Sequence, residues 1–129
     1  MSKLVIEVVY RGREKRVVWT SDDSGRMHGK SYYEKLDHKE RAKFRARFEH
    51  LGNKGEIRNE EQFRHEVDGI YAIKIPRHRL LCFFDLRDVV ITHGLKKQKD
   101  KLHRKELDKA RRIRSSYYGA RPAPKSEGI

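Results

Sequence analysis

A chain of 129 residues is long enough for one domain with a modest core and too short for two ordinary ones. Charged residues make up 40% of it and apolar ones 36%, and the clustering of the apolar residues excludes a disordered chain. The formal net charge of +13 favours a polyanionic partner such as RNA, DNA, the ribosome or an acidic protein, and no apolar run approaches the length of a membrane span.

In chain order, Leu4–Tyr10 is the first predicted strand, with Glu7 its one charge. Arg11-Gly12-Arg13 reads as a turn, and Arg16–Thr20 as its hairpin partner. Ser21–Lys30 is rich in Gly, Ser and Asp and is predicted to be a loop. From Ser31 to Leu51 the texture is helical: Tyr33, Leu36, Phe44, Phe48 and Leu51 recur at spacings that put them on one face. Asp37 followed by Glu40 resembles a capping box, which predicts two helices broken near Asp37, and Gly52-Asn53-Lys54-Gly55 ends the second. Asn59–Val67 is polar and fits neither period.

Three apolar runs of strand length follow: Ile70–Ile75, Arg79–Phe84 and Val89–Thr92. The links between them are too short for a parallel return, so they are predicted to form an antiparallel meander, with Leu4–Tyr10 in the same sheet. Leu80–Phe84 is apolar at successive positions, as suits a middle strand covered on both faces. Leu102–Tyr118 is predicted to be a helix, with Leu102, Leu107, Ala110, Ile113 and Tyr117 on one stripe. From His93 to Arg114 there are ten Lys or Arg against three Asp or Glu, so this helix and its approach are strongly basic. Gly119–Ile129, with two prolines, reads as a flexible tail on a domain of residues 1–118.

The only cysteine, Cys82, lies in the central apolar run and reads as a small buried hydrophobe. The histidines lack Cys or carboxylate partners at ligand spacing, so no metal and no cofactor is expected. There is no glycine pattern for a nucleotide phosphate and no Ser–His–Asp signature. The absence of a signal-peptide pattern predicts a cytoplasmic protein. What remains is a set of cations at the margins of the meander, namely Lys74, Arg77, Arg79, Lys96 and Lys97, beside His93. Cutting RNA without a metal requires a base for the 2′-hydroxyl, donors for a pentacoordinate phosphate and an acid for the leaving 5′-oxygen. Histidine, a lysine of lowered pKa and arginine can fill those roles. From the residues alone two readings stand, a solvated basic rim and a phosphate site.

The order of motifs adds a resemblance. Asp68-Gly69-Ile70-Tyr71-Ala72-Ile73-Lys74 resembles the "dGlyElR" strand of the RelE/HigB superfamily, in its phage-derived HigB-like branch. Arg79-Leu80-Leu81-Cys82-Phe83-Phe84 is similar to that family's "yRilyff" strand. His93-Gly94-Leu95-Lys96-Lys97-Gln98, running on through Lys101 to Glu106 and Ala110, is similar to "HGFxKKxxKTPxxEIxxA". The resemblance covers Arg64 to about Tyr118. It implies an α+β, RelE-like compact domain: an antiparallel sheet, helices packed on one face and a C-terminal helix. It also implies a toxin of a toxin–antitoxin system, an endoribonuclease acting on mRNA at the ribosome and neutralised by a small antitoxin of the helix-turn-helix kind. Arg79, Lys97, His93 and Lys74 fall on the implied catalytic positions. Arg64, on the basic position before "dG", joins Arg77, Lys96, Lys99, Lys101 and Arg104 as expected contacts to RNA or ribosome. Lys74 stands where the family pattern has arginine, Gln98 where it has a second lysine, and Leu102-His103 where it has Thr-Pro. A non-catalytic nucleic-acid-binding or phage regulatory protein on the same fold is the alternative.

Overall fold

The computed structural model describes residues 3–98 and 101–120. Strands β1 (Ile6–Arg11) and β2 (Arg16–Thr20) form the predicted antiparallel hairpin, with Val8 opposite Val18. Two helices follow, α1 (His28–Glu34) and α2 (His38–Lys54). The break between them is set by Asp37, whose carboxylate accepts from the Glu40 N–H at 2.8 Å while the Glu40 side chain accepts from the Asp37 N–H. Helix α1 takes in His28–Lys30, which were expected in the loop. The expected stop at Gly52-Asn53-Lys54-Gly55 acts through its last residue, Gly55, at φ +81°; Gly52 lies inside the helix, and its carbonyl accepts from the Glu14 and Lys15 N–H groups of the hairpin turn.

The meander is one strand larger than the three predicted. It comprises β3 (Phe63–Val67), β4 (Ile70–Ile75), β5 (His78–Asp85) and β6 (Asp88–Lys96), and the last helix is α3 (Arg104–Ala120). The polar sequence of β3 hid it: only Phe63 at its start is buried, because it is the outer strand of the sheet. Sheet order is β1-β2-β6-β5-β4-β3, antiparallel throughout except that β2 pairs with β6 in parallel, Val17 beside Val89. A parallel return needs a long connection, and here it runs through α1, α2 and three strands.

Burial follows from this layering. Phe44, Phe48 and Leu51 of α2 pack with Trp19, Ile73, Leu80, Cys82 and Ile91 on one face of the sheet. On the opposite face Ala110 and Tyr117 of α3 meet Ala72, Leu81, Phe83 and Val90. Strand β5 is therefore apolar at consecutive positions because it is covered twice, as its sequence predicted. Fully buried Phe44 and Phe48 each contribute roughly 1.5–3 kcal/mol of transfer free energy. Helix α3 begins two residues later and ends two residues later than its apolar stripe predicted, and the rest of the expected tail lies outside the described residues. No helix among the described residues is long and apolar enough to cross a membrane.

Candidate functional site

Strand register aligns the cations. Arg64 of β3 sits opposite Ala72 of β4, Ala72 opposite Leu81 of β5, and Leu81 opposite His93 of β6. Ala72 and Leu81 pack against α3, and side chains two residues along a strand share a face. The next row outward is then Lys74 of β4, Arg79 of β5 and Leu95 of β6, with Lys97 just past the end of β6. Leu102, ahead of α3, forms one wall of an open cleft there of about 540 Å³. Its lining holds five cations, Arg47, Arg64, Lys74, Arg79 and Lys97, and the carboxylates Glu61 and Glu66.

Three of the cations, Arg79, Lys74 and Arg47, are held at fixed points by backbone carbonyls. Arg79 is only 8% exposed, and its Nη1 donates to the Ile75 and His78 carbonyls at 2.8 and 2.9 Å. Burial depresses its pKa, and Glu66 pulls the other way. Lys74 Nζ donates to the Glu60 carbonyl at 2.8 Å. Burial lowers its pKa first, then the neighbouring charges of Arg79, Arg64 and Lys97. Arg47 reaches in from α2, with Nε on the Lys74 carbonyl at 3.0 Å. Nothing in the local sequence separates it from the other helix arginines, Arg41 and Arg45; only the packing of α2 on β4 brings it to the cleft.

Four of the ten expected site residues thus converge: Arg64, Lys74, Arg79 and Lys97. Lys96 and Lys101 line a neighbouring depression with Gln98 and Lys105. Arg77 is exposed at the tip of the β4–β5 turn, at φ +71° after Pro76, and its carbonyl accepts from the Lys97 N–H at 2.8 Å. Arg104 is exposed and 4.0 Å from Asp108. Lys99 lies outside the described residues. Among the described residues no group of three or more His, Cys, Asp or Glu side chains is placed to share a metal ion.

Residues 31–115, more than half of the chain, match the family described as phage-derived protein Gp49-like. The chain belongs to the Gp49-like family. Gp49-like proteins are a RelE/HigB-like family of toxin–antitoxin systems, and the match reaches that level without singling out the HigB branch. It runs from α1 into α3 and so contains every cation of the cleft, Arg47 included. No curated protein matches the sequence.

Two of the residues that carried the resemblance have architectural places in this Gp49-like fold. Asp68 sits at φ +54° in the β3–β4 turn, and its carboxylate pairs with Arg114 at 2.7 Å and Arg111 at 3.3 Å, fastening α3 to the sheet. Those two arginines, the larger effect being Arg114, hold its pKa below the ordinary carboxylate value. His93 is 1% exposed under α3, with Nε2 3.1 Å from Glu106 and Nδ1 3.2 Å from the Thr92 hydroxyl. It does not line the cleft.

Burial pushes the pKa of His93 down to about 4, against the pull of Glu106 and with help from Lys109. Below its ordinary value of 6.5 the unfolded chain binds a proton that the folded chain refuses, so stability falls as pH falls through that window. Roughly 2–3 kcal/mol should be lost from this group between about pH 6.5 and 4. Urea unfolding across that range is the measurement, beside His93→Gln, in which this component should vanish. Parallel pH profiles for the two proteins would contradict the assignment.

Another histidine, passed over in the sequence, sits on the α2 side of the sheet. His78 Nε2 lies 2.9 Å from Glu40 and Nδ1 2.6 Å from the Tyr32 hydroxyl. Glu40 can only accept, so in the neutral ring Nε2–H donates to it and Nδ1 accepts from Tyr32. This ties the first residue of β5 to both N-terminal helices, one position before Arg79.

Proposed function

We propose that this Gp49-like chain is a toxin-type mRNA endoribonuclease that cuts the RNA backbone on the ribosome and is neutralised by a small antitoxin. The observation that supports this is the convergence of Arg64, Lys74 and Arg79, from three adjacent strands, and of Lys97, just past the end of the fourth, on one cleft. A phosphodiester attacked by its neighbouring 2′-oxygen gains negative charge at phosphorus, and donors already fixed in place stabilise that charge without reorganising. Arg79, pinned by two carbonyls, offers its remaining N–H groups to the phosphate. Lys74 adds a second, point-like charge. Lys97 gives its proton to the leaving 5′-oxygen. The antitoxin covers this basic face with an acidic segment.

Salt dependence of RNA binding tests the contact set. Four phosphate contacts give a log–log slope of roughly −3, so a four-fold rise in salt should weaken binding of single-stranded RNA by roughly fifty-fold. Affinity that stays constant over that rise would defeat the phosphate-contact reading.

A further inference from the structure

The cleft is cationic, yet cleavage also needs a group that removes the proton of the 2′-hydroxyl. His93 is sealed under α3 and His78 lies on the other face of the sheet. A guanidinium keeps its proton at any working pH, and Lys74, although burial and the charges of Arg79, Arg64 and Lys97 lower its pKa, is the point charge of the phosphate site, with Nζ donating to the Glu60 carbonyl. Two carboxylates remain among the lining residues. Glu61 is exposed on the turn before β3, with its N–H held by the Asn59 side chain.

Glu66 is placed differently. The β3–β4 pairing runs Arg64 with Ala72 and His65 with Tyr71, then skips to Val67 with Ile70, so Glu66 is the extra residue of a β-bulge. Bulges are common beside functional sites, and at this one Glu66 lines the cleft together with Arg64, Lys74, Arg79 and Lys97. Its negative charge is felt by both Lys74 and Arg79. Even so, among the described residues no side chain comes within ion-pair distance of it. A half-buried carboxylate that lines the cleft with the cations, and that no described side chain holds in an ion pair, is placed beside the phosphate site as a proton acceptor.

We propose that Glu66 is the general base of the cleavage reaction. The proposal rests on the endoribonuclease reading above. The carboxylate accepts the 2′-hydroxyl proton, the 2′-oxygen forms a bond to the adjacent phosphorus, and the bond from phosphorus to the 5′-oxygen breaks. That oxygen leaves with the Lys97 proton. The products are a 2′,3′-cyclic phosphate and a 5′-hydroxyl, and one proton returns from Glu66 to Lys97 through solvent.

The test uses the full chain on mRNA-programmed ribosomes under single-turnover conditions. Glu66→Gln should cleave at least roughly 100-fold more slowly while binding RNA as tightly as wild type or tighter. Glu66→Ala should regain activity when formate is added, which a residue that merely balances charge would not do. Cleavage by Glu66→Gln within three-fold of wild type overturns the assignment and leaves the endoribonuclease reading standing. Wild-type protein that leaves the RNA intact overturns both.

Discussion

Arg79→Lys is expected to raise the barrier to RNA cleavage by about 2–4 kcal/mol while leaving the fold in place. Arg79 is the second residue of β5, one of the two middle strands, and it is nearly buried, so it is not a cation reaching out to bulk water. Its direct partners are two backbone carbonyls, with the charge of Glu66 close by. A buried guanidinium without a bonded carboxylate is poorly compensated, and an anion entering the cleft restores the balance. Lysine keeps the charge but has a single nitrogen, which cannot hold the turn carbonyls and fork onto a phosphate together. Cleavage rates are to be measured beside circular dichroism and urea unfolding of both proteins. Equal cleavage by two equally folded proteins would reduce Arg79 to a structural residue.

Gly94→Ala should destabilise the fold by about 3 kcal/mol, at the upper end of overpacking costs. A Cβ at this position would lie 2.4 Å from Cδ1 and 2.6 Å from Cγ of Tyr32, and 2.9 Å from Cδ2 of Leu80. Those ring atoms are near the root of the side chain, so Tyr32 cannot swing a free end away. Its hydroxyl is held on His78 Nδ1, and the His78 carbonyl in turn receives the Arg79 guanidinium. The displaced ring should therefore loosen the start of β5, and cleavage should suffer beyond the loss of folded protein. Denaturant unfolding gives the first quantity and activity per folded molecule gives the second. A variant as stable as wild type would show that Tyr32 repacks at little cost.

Much of the sheet was legible because burial leaves a periodic mark. The double cover of β5 appears directly as an unbroken apolar run, and Asp37 with Glu40 marks the helix break by a local hydrogen-bond exchange. Strand β3 was not legible: an outer strand with one buried residue carries too few apolar residues to betray itself. The parallel partnership of β2 with β6 is a matter of topology, and no local pattern encodes it. In the site, Arg64, Lys74, Arg79 and Lys97 are recoverable from strand alternation once the register is known. Arg47 is not, since it enters from a helix far along the chain. His93 illustrates the opposite limit. Its sequence suits proton transfer, but whether it faces a cleft or a helix depends on where α3 lies, and α3 seals it. Glu66 lies on the polar outer strand β3, whose place in the sheet composition does not reveal.

The most direct measurement is the mapping of mRNA ends in cells after induction of the wild-type chain and of Arg79→Ala. Wild type should arrest growth and produce new 5′-hydroxyl ends within translated messages, and Arg79→Ala, equally expressed and folded, should produce neither. Intact messages in cells expressing folded wild-type protein, with RNA binding retained, would contradict the cleavage account and leave a binding protein on the same cleft.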